Sequence, residues 1–503
     1  MTQSEHQKIG KFIKKLREQR GMTQEAFAKA LKTSQSAVAR MEKGEQNFTT
    51  GVLSKISDVL GHKIFSINNS IDFEIHGGKK LSGTIRTNYS KNGSVGLLCA
   101  SLLNKGKTIL HGIARIEEVN RVIEIIESLG VTIKWIGPNT VEIVPPKKFS
   151  LKNLNIESAI KTRSIVMLVG PLAHFLNSFA IPHAQGCQLG KRSTAAHRYG
   201  LYELGIRIKV TQADYQITAE KLKPANIIMY ESGDTAVENI LMAAALVPGK
   251  TTIKFTSSNY MVQEICFFLE KCGVKVEGIG TSTLTVHGIA EINETIEYHN
   301  SEDPIESMMF IASAIATDSE LSITHCPIDF LELELYKLEK MGLKYKKGKV
   351  YKSENERTNL VNLTIFPSNL RALEDKIHSN PYPGINMDNL PFFVIPAMKA
   401  KGQTLIHDWV YENRMIYLTD LNRMGGNLTL ADQHRLYVDG GEALKPAQIV
   451  CPPALRPSVV IMIAMLCAEG VSMLRNVYMI KRGYEDIAER LNSIGADIRV
   501  ITT

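Results

Sequence analysis

The chain of 503 residues is poor in cysteine. It has seven, an odd number, and no CxxC pair. That argues against a disulfide framework and a cysteine-built zinc site, and it fits a reducing cytoplasm. Long apolar runs are also missing. The longest, Val459 to Ala468, falls well short of the roughly 20 residues a membrane helix needs. The opening MTQSEHQKIGKF has no apolar stretch and no cleavage site, so it is not expected to direct secretion. With 44% hydrophobic and 22% charged residues, the chain is expected to bury large cores rather than stay disordered. Its length suggests about three domains.

Acidic residues are scarce at one end only. Residues 1–70 hold nine Lys and three Arg against five Glu and one Asp, so this segment carries +6 of the formal net charge of +8. A short basic segment on a nearly neutral body suggests a nucleic-acid module. Ile9, Phe12, Ile13 and Leu16 recur at helical spacing, and Gly21 is expected to end that helix. Thr23 can cap a second helix with Ala26, Phe27 and Ala30 facing inward. Ser34 can cap a third, with Ala37, Val38 and Met41 inward and Gly44 closing it, and a fourth is expected from about Thr50 to Leu60. The string LREQRGMTQEAFAKALKTSQSAVARMEKG resembles phage-repressor helix-turn-helix domains. The resemblance implies that the third helix enters the major groove of duplex DNA. It presents Gln35, Ser36, Ala39 and Arg40 outward, and Gln suits adenine while Arg suits guanine or phosphate. Such modules usually read two half-sites as dimers, so a homodimer is expected on DNA. The alternative is a small helical bundle for protein contacts.

From residue 71 onward one unit recurs six times. Each has an apolar, small-residue helix, a strand, an amphipathic helix ending in Gly, and another strand. The helix-ending glycines are Gly130, Gly205, Gly273, Gly342, Gly425 and Gly495, spaced 68 to 83 residues apart. A solenoid is the default for such a period. Units of this length can also close into globular lobes, three to a lobe, leaving a cleft where small molecules bind.

Six such units in two lobes resemble the enolpyruvyl transferases, which move the enolpyruvyl group of phosphoenolpyruvate onto an alcohol. The motifs SKNGSVGLLCASLL, QGCQLGKR, MDNLPF, YENRM, ALRPS and KRGYEDIAERLNSIGADI occur in that order. They resemble the branch acting on UDP-N-acetylglucosamine, over about residues 71–503. The resemblance implies an α/β fold of the inside-out barrel type. One lobe is expected at 71–90 and 303–503 and the other at 91–302, behind a helix-turn-helix domain at 1–70.

Phosphoenolpyruvate carries a phosphate and a carboxylate, so its site needs fixed cations, and the planar fork of Arg grips such oxyanions bidentately. The resemblance implies that Lys91, Arg192 and Arg482 contact it, with Arg414 and Arg456 on its carboxylate side. Asn92, Arg163 and His197 are expected to hold a nucleotide-sugar acceptor. Adding an alcohol to an alkene needs a base and an acid. By the same carry-over Asp388 takes the hydroxyl proton and Cys187 protonates the methylene carbon. Cys187 lies between glycines in a polar stretch beside Lys191 and Arg192, which should favour thiolate, whereas Cys99, Cys266 and Cys467 read as core residues. Asp303 matches an acidic position near the hinge. No cofactor, metal or membrane partner is called for.

Several positions depart from the family. Ala454 stands where it has an Asp, which leaves Asp388 as the expected main carboxylate beside Lys91. Ala195 falls in its nucleotide loop, Glu231 replaces a lysine of the diphosphate pocket, and Lys481 replaces an Asp. Two readings follow. One is a working transferase joined to a DNA-binding module. The other is a transcription regulator whose transferase-like body senses a nucleotide sugar.

Overall fold

The computed structural model describes residues 3–19, 22–45, 52–53, 55–56, 59, 71–184 and 193–502. Gly21, Lys191 and two expected site residues, Cys187 and Arg192, lie outside them. The chain divides into two compact units, one of Met1–Ser70 and one of Ile71–Ile501.

The first unit is helical. Helices span Gln3–Gln19, Gln24–Leu31 and Gln35–Lys43. Thr23 and Ser34 cap the second and third, their hydroxyls accepting from the N–H of Ala26 at 3.1 Å and of Ala37 at 3.2 Å. Gly44 closes the third at φ 72°. The buried faces hold Ile13, Phe27, Ala28, Val38 and Met41, joined by Leu53 and Ile56 from the described part of the fourth helix. Ala26 and Ala30 are exposed, so the expected inward face of the second helix is rotated. Phe27 and Ala28 sit at its buried centre because the helix is only eight residues long and meets its neighbours along one narrow stripe. A charge pair that hydropathy does not foretell lies inside this unit. Arg17 Nε donates to Glu42 Oε1 at 2.5 Å, and Gln24 Nε2 donates to Glu42 Oε2 at 2.8 Å.

The second unit repeats helix and sheet six times. Gly130, Gly205, Gly273, Gly342, Gly425 and Gly495 all have positive φ, between 86° and 104°. Only glycine takes that conformation without a Cβ penalty, so each amphipathic helix turns sharply into its strand. The described strands form six open sheets of three to five strands. In three of them a parallel crossover runs through a buried helix: Asn226–Ile228 to Gly249–Lys254 through Asp234–Ala245, Ile377–His378 to Gly402–His407 through Val394–Lys399, and Gln448–Val450 to Gly470–Arg475 through Leu455–Cys467. The opening strand Ile71–Gly77 lies between Gly470–Arg475 and Ile498–Thr502. Three sheets take every strand from residues 71–90 and 303–502, and the other three from 91–302.

Two helices form the centre of the buried core. Helix Pro304–Ala316 is buried at every position, and helix Leu455–Cys467 is buried from Arg456 to Leu466. Small residues let other buried helices pack closely: a Cβ on Gly96, in the helix Lys91–Ala100, would come within 3.0 Å of Ile265, on the helix Tyr260–Lys271. Among the described residues no helix is long and apolar enough to cross a membrane.

Candidate active site

Ser90 caps the helix Lys91–Ala100 by accepting from the Gly93 N–H at 2.9 Å. The residues from Gly93 to Ala100 are buried, so only Lys91 and Asn92 in the first turn reach outward. The Lys91 N–H faces Asp303 Oδ2 at 3.4 Å, and Asn92 Nδ2 donates to the Tyr260 hydroxyl at 2.9 Å. Asp303 is buried and caps the helix Pro304–Ala316, its Oδ1 accepting from the Ile305 N–H at 2.8 Å. Burial lowers the Lys91 pKa and Arg456 adds to the fall; Glu118 opposes it most strongly, then Asp388 and Asp303.

Asp388 lies between two guanidinium groups. Arg456 Nη2 is 3.0 Å from its Oδ2 and Arg414 Nη1 is 3.8 Å from its Oδ1. Burial alone would raise this carboxyl, but Arg456, Arg414 and Lys91 outweigh it and hold it down at about 2. Arg414, only 1% exposed, is fixed on every side. Its Nε donates to Asp408 Oδ2 at 2.6 Å, its Nη2 donates to the Met387 carbonyl at 2.7 Å, and its guanidinium lies 4.3 Å from the Tyr411 ring centre. Arg456 Nη1 donates to the Tyr484 hydroxyl at 2.7 Å.

Arg482 joins the same group through Glu118, its Nη2 donating to Glu118 Oε2 at 2.6 Å. Thr162 Oγ1 donates to the other Glu118 oxygen. Burial raises the Glu118 pKa, yet Lys91, Arg482 and Thr162 together bring it below the usual range. Lys91, Asp303 and Tyr484 line a recess of about 280 Å³ together with Asn88 and Glu306.

Arg163 and His197 form a second group. Arg163 starts the short helix Arg163–Leu168, and His197 is buried. The Asn239 side-chain oxygen accepts from the Gly170 N–H at 2.7 Å, which turns its Nδ2 toward His197 Nδ1 at 3.1 Å. His197 therefore accepts at Nδ1 and carries its proton at Nε2, 3.4 Å from Thr235 Oγ1. Burial first, then the Arg163 charge, lowers its pKa to about 4, so the ring is neutral near pH 7.

The structure thus brings Lys91, Asp388, Arg414, Arg456 and Arg482 together, with Asn92 alongside. Sequence reasoning missed Glu118, Asp408, Tyr260 and Tyr484. It also missed Asp234, a carboxyl whose pKa is raised by burial and by Asp388, against hydrogen bonds from Ser257 and Asn259. Asp388 is not the main carboxylate beside Lys91: Glu118 acts on it more strongly. Ala454 is buried and occupies the N-cap of the helix Leu455–Cys467 without a side-chain acceptor, while Glu231 is exposed.

This fold, with its cation-rich, carboxylate-countered site, is that of an enolpyruvyl (1-carboxyvinyl) transferase. The chain belongs to the enolpyruvyl transferase family: the family described as EPSP synthase (3-phosphoshikimate 1-carboxyvinyltransferase) matches residues 75–491. Its similar relatives include the UDP-N-acetylglucosamine 1-carboxyvinyltransferase of Treponema denticola, 32% identical over 431 residues, which are 85% of this chain and 99% of that protein. The enzyme of the same name from Bradyrhizobium diazoefficiens is 31% identical over 437 residues, covering 85% of this chain and 98% of its own. Among solved structures, the enolpyruvyl transferase NikO from Streptomyces tendae superposes with a TM-score of 0.73 at 23% identity, over 86% of this chain and all (100%) of its own. The EPSP synthase of Acinetobacter baumannii gives 0.68 at 18% identity, over 86% and 100% of the two chains. Residues 13–64 match the helix-turn-helix family.

Proposed function

We propose that the chain transfers the enolpyruvyl group of phosphoenolpyruvate to the 3-hydroxyl of UDP-N-acetylglucosamine or a related nucleotide sugar, releasing phosphate, and that residues 1–70 bind duplex DNA. The observation that carries the transferase reading is Asp388 ionised among Arg456, Arg414 and Lys91. In the reaction the acceptor oxygen bonds to C2 of phosphoenolpyruvate as Asp388 takes its proton, and Cys187 protonates C3. The C2–O bond to phosphate then breaks, and loss of a proton from C3 restores the alkene. Lys91, Arg192 and Arg482 grip phosphoenolpyruvate, and Arg414 and Arg456 serve its carboxylate side. Arg482 already faces Glu118, and Arg414 and Arg456 face Asp388, so the incoming oxyanions exchange with these two carboxylates. Asn92, Arg163 and the neutral His197 hold the acceptor. The two lobes are residues 71–90 with 303–503, and 91–302, and the site lies between them.

The test is phosphate release from phosphoenolpyruvate with a panel of nucleotide sugars. Release with UDP-N-acetylglucosamine and not with shikimate 3-phosphate supports the reading. If no acceptor gives turnover but a nucleotide sugar binds and changes DNA affinity, the body is a sensor.

Gln35, Ser36 and Arg40 are exposed on the third helix, as a groove-reading face requires. DNA affinity of the full chain should fall linearly in log–log form as salt rises, through release of counterions. Arg40→Ala should weaken binding, and if Arg40 contacts a phosphate it should reduce the salt slope by about one. Fluorescence anisotropy on a duplex library checks this. If the chain shows no salt-dependent affinity for DNA at all, the helices are a bundle for protein contacts.

A further inference from the structure

Outside the active site, two histidines and two glutamates converge on one exposed spot. Strands Thr108–His111 and Ile296–His299 pair in parallel, with His111 opposite His299 at their last residues. Glu297, two residues before His299, shares its face of the sheet. The imidazole rings stack with centroids 4.2 Å apart and planes 9° from parallel. His111 Nε2 lies 2.8 Å from Glu297 Oε1, and His299 Nδ1 lies 2.9 Å from Glu354 Oε2. Ligand atoms of His111, Glu297 and His299 all fall within 4.8 Å of one another.

We propose that His111, His299, Glu297 and Glu354 form a binding site for a divalent transition-metal ion of the Zn²⁺ class. The donor chemistry decides the class. Two imidazoles with carboxylates and no thiolate suit Zn²⁺ and its neighbours, whereas Ca²⁺ and Mg²⁺ want oxygen donors alone. Two carboxylates balance the charge of one such ion. The cysteine pattern is no guide to this site, because it contains no cysteine.

The outer contacts also fit. His111 Nδ1 is 3.1 Å from Thr140 Oγ1, so a proton on Nδ1 can be donated to that hydroxyl and leave Nε2 free to ligate. The ion then takes the place of the proton between Nε2 and Glu297. Bonds of about 2.0–2.1 Å in a tetrahedron set ligand atoms about 3.3 Å apart. Reaching that spacing needs one ring to tilt out of the stack and the Glu297 carboxylate, 61% exposed and now 2.8 Å from His111 Nε2, to draw back slightly. The exposure of both glutamates gives the ion its entry path.

The position gives the site a consequence. His111 and His299 are followed by Gly112 and Asn300, and Asn300 Nδ2 donates to the Gly112 carbonyl and to the carbonyl of Ser90, the cap of the Lys91 helix, at 2.9 Å each. Glu354 comes from a separate segment, following the strand Tyr351–Lys352. A bound ion would fasten that segment to the support of Lys91.

Calorimetric titration of the chelator-treated full chain with Zn²⁺ should show a saturable site of one ion per chain that His111→Ala and His299→Ala each abolish. Thr140→Val should weaken it by about tenfold, as loss of an outer hydrogen bond to a ligating histidine does. Co²⁺ should give a tetrahedral absorption spectrum that both histidine variants lose. Circular dichroism and thermal unfolding without added metal, unchanged in those variants, show that they fold. Saturable binding that survives both substitutions, or no one-to-one binding in the wild type, overturns the proposal.

Discussion

Asp388→Asn should lower the catalytic rate by about 10²–10⁴-fold, the usual loss for a positioned acid or base, while phosphoenolpyruvate binding holds or tightens. The asymmetry follows from the geometry. Asp388 occupies Arg456 at 3.0 Å and stands 3.8 Å from Arg414, so it competes with an incoming oxyanion for the same guanidinium groups. Removing its charge frees them. As a base with a pKa of about 2 it is weak until the substrate draws those cations away. Binding should therefore raise its pKa. The acid limb of kcat/KM, which reports the free enzyme, should show no ionisation from Asp388 above about 2. The acid limb of kcat, which reports the complex, should lie higher and should vanish in Asp388→Asn. Steady-state phosphate release across pH, with calorimetry of phosphoenolpyruvate binding, measures both. An unchanged kcat with weakened binding would make Asp388 an organiser of the arginines rather than the base.

Local signals carried far in this sequence. Thr23, Ser34 and Gly44 mark helix ends because each bonds groups within a few residues, and all three cap as the sequence suggests. The six glycines mark the repeat for the same reason: the left-handed turn is a property of one residue. The family motifs give the enolpyruvyl transferase fold, and Lys91, Asp388, Arg414, Arg456 and Arg482 do converge. What stayed hidden is pairing over distance. Glu118 and Arg482 are separated by 364 positions, and Glu118 sits in an ordinary amphipathic helix, Glu117–Ser128, whose first turn has two glutamates. Nothing in the spacing says which of them turns inward. Glu42, likewise, reads as a surface charge until Arg17 is placed against it. The inward face of the second helix was misjudged because Ala26 and Ala30 are too small to define an apolar stripe.

Glu118→Gln should reduce kcat/KM for phosphoenolpyruvate by about 30-fold to several thousand-fold, the range for removing one partner of a buried charge pair. Two cations depend on this carboxylate. Arg482 donates to it at 2.6 Å, and it is the strongest charge holding the Lys91 ammonium up against burial. The two respond differently to its loss. Arg482 stays protonated at any working pH and loses only its orientation. Lys91, already lowered by burial and Arg456, falls further and becomes neutral at a lower pH. A neutral Lys91 no longer attracts phosphate, so the alkaline limb of kcat/KM should move to lower pH in the variant, with no matching shift on the acid side. Glu118→Asp should recover part of the loss and move the limb part of the way back. In the double variant Lys91→Arg/Glu118→Gln the alkaline shift should disappear, because an arginine does not titrate there, even if the rate stays low. The Asp that the resemblance implies at position 454 then matters less to Lys91, since Glu118 already supports its charge. A limb that stays in place in Glu118→Gln, beside a lower rate, would confine Glu118 to orienting Arg482 and return Lys91 to Asp388 and Asp303.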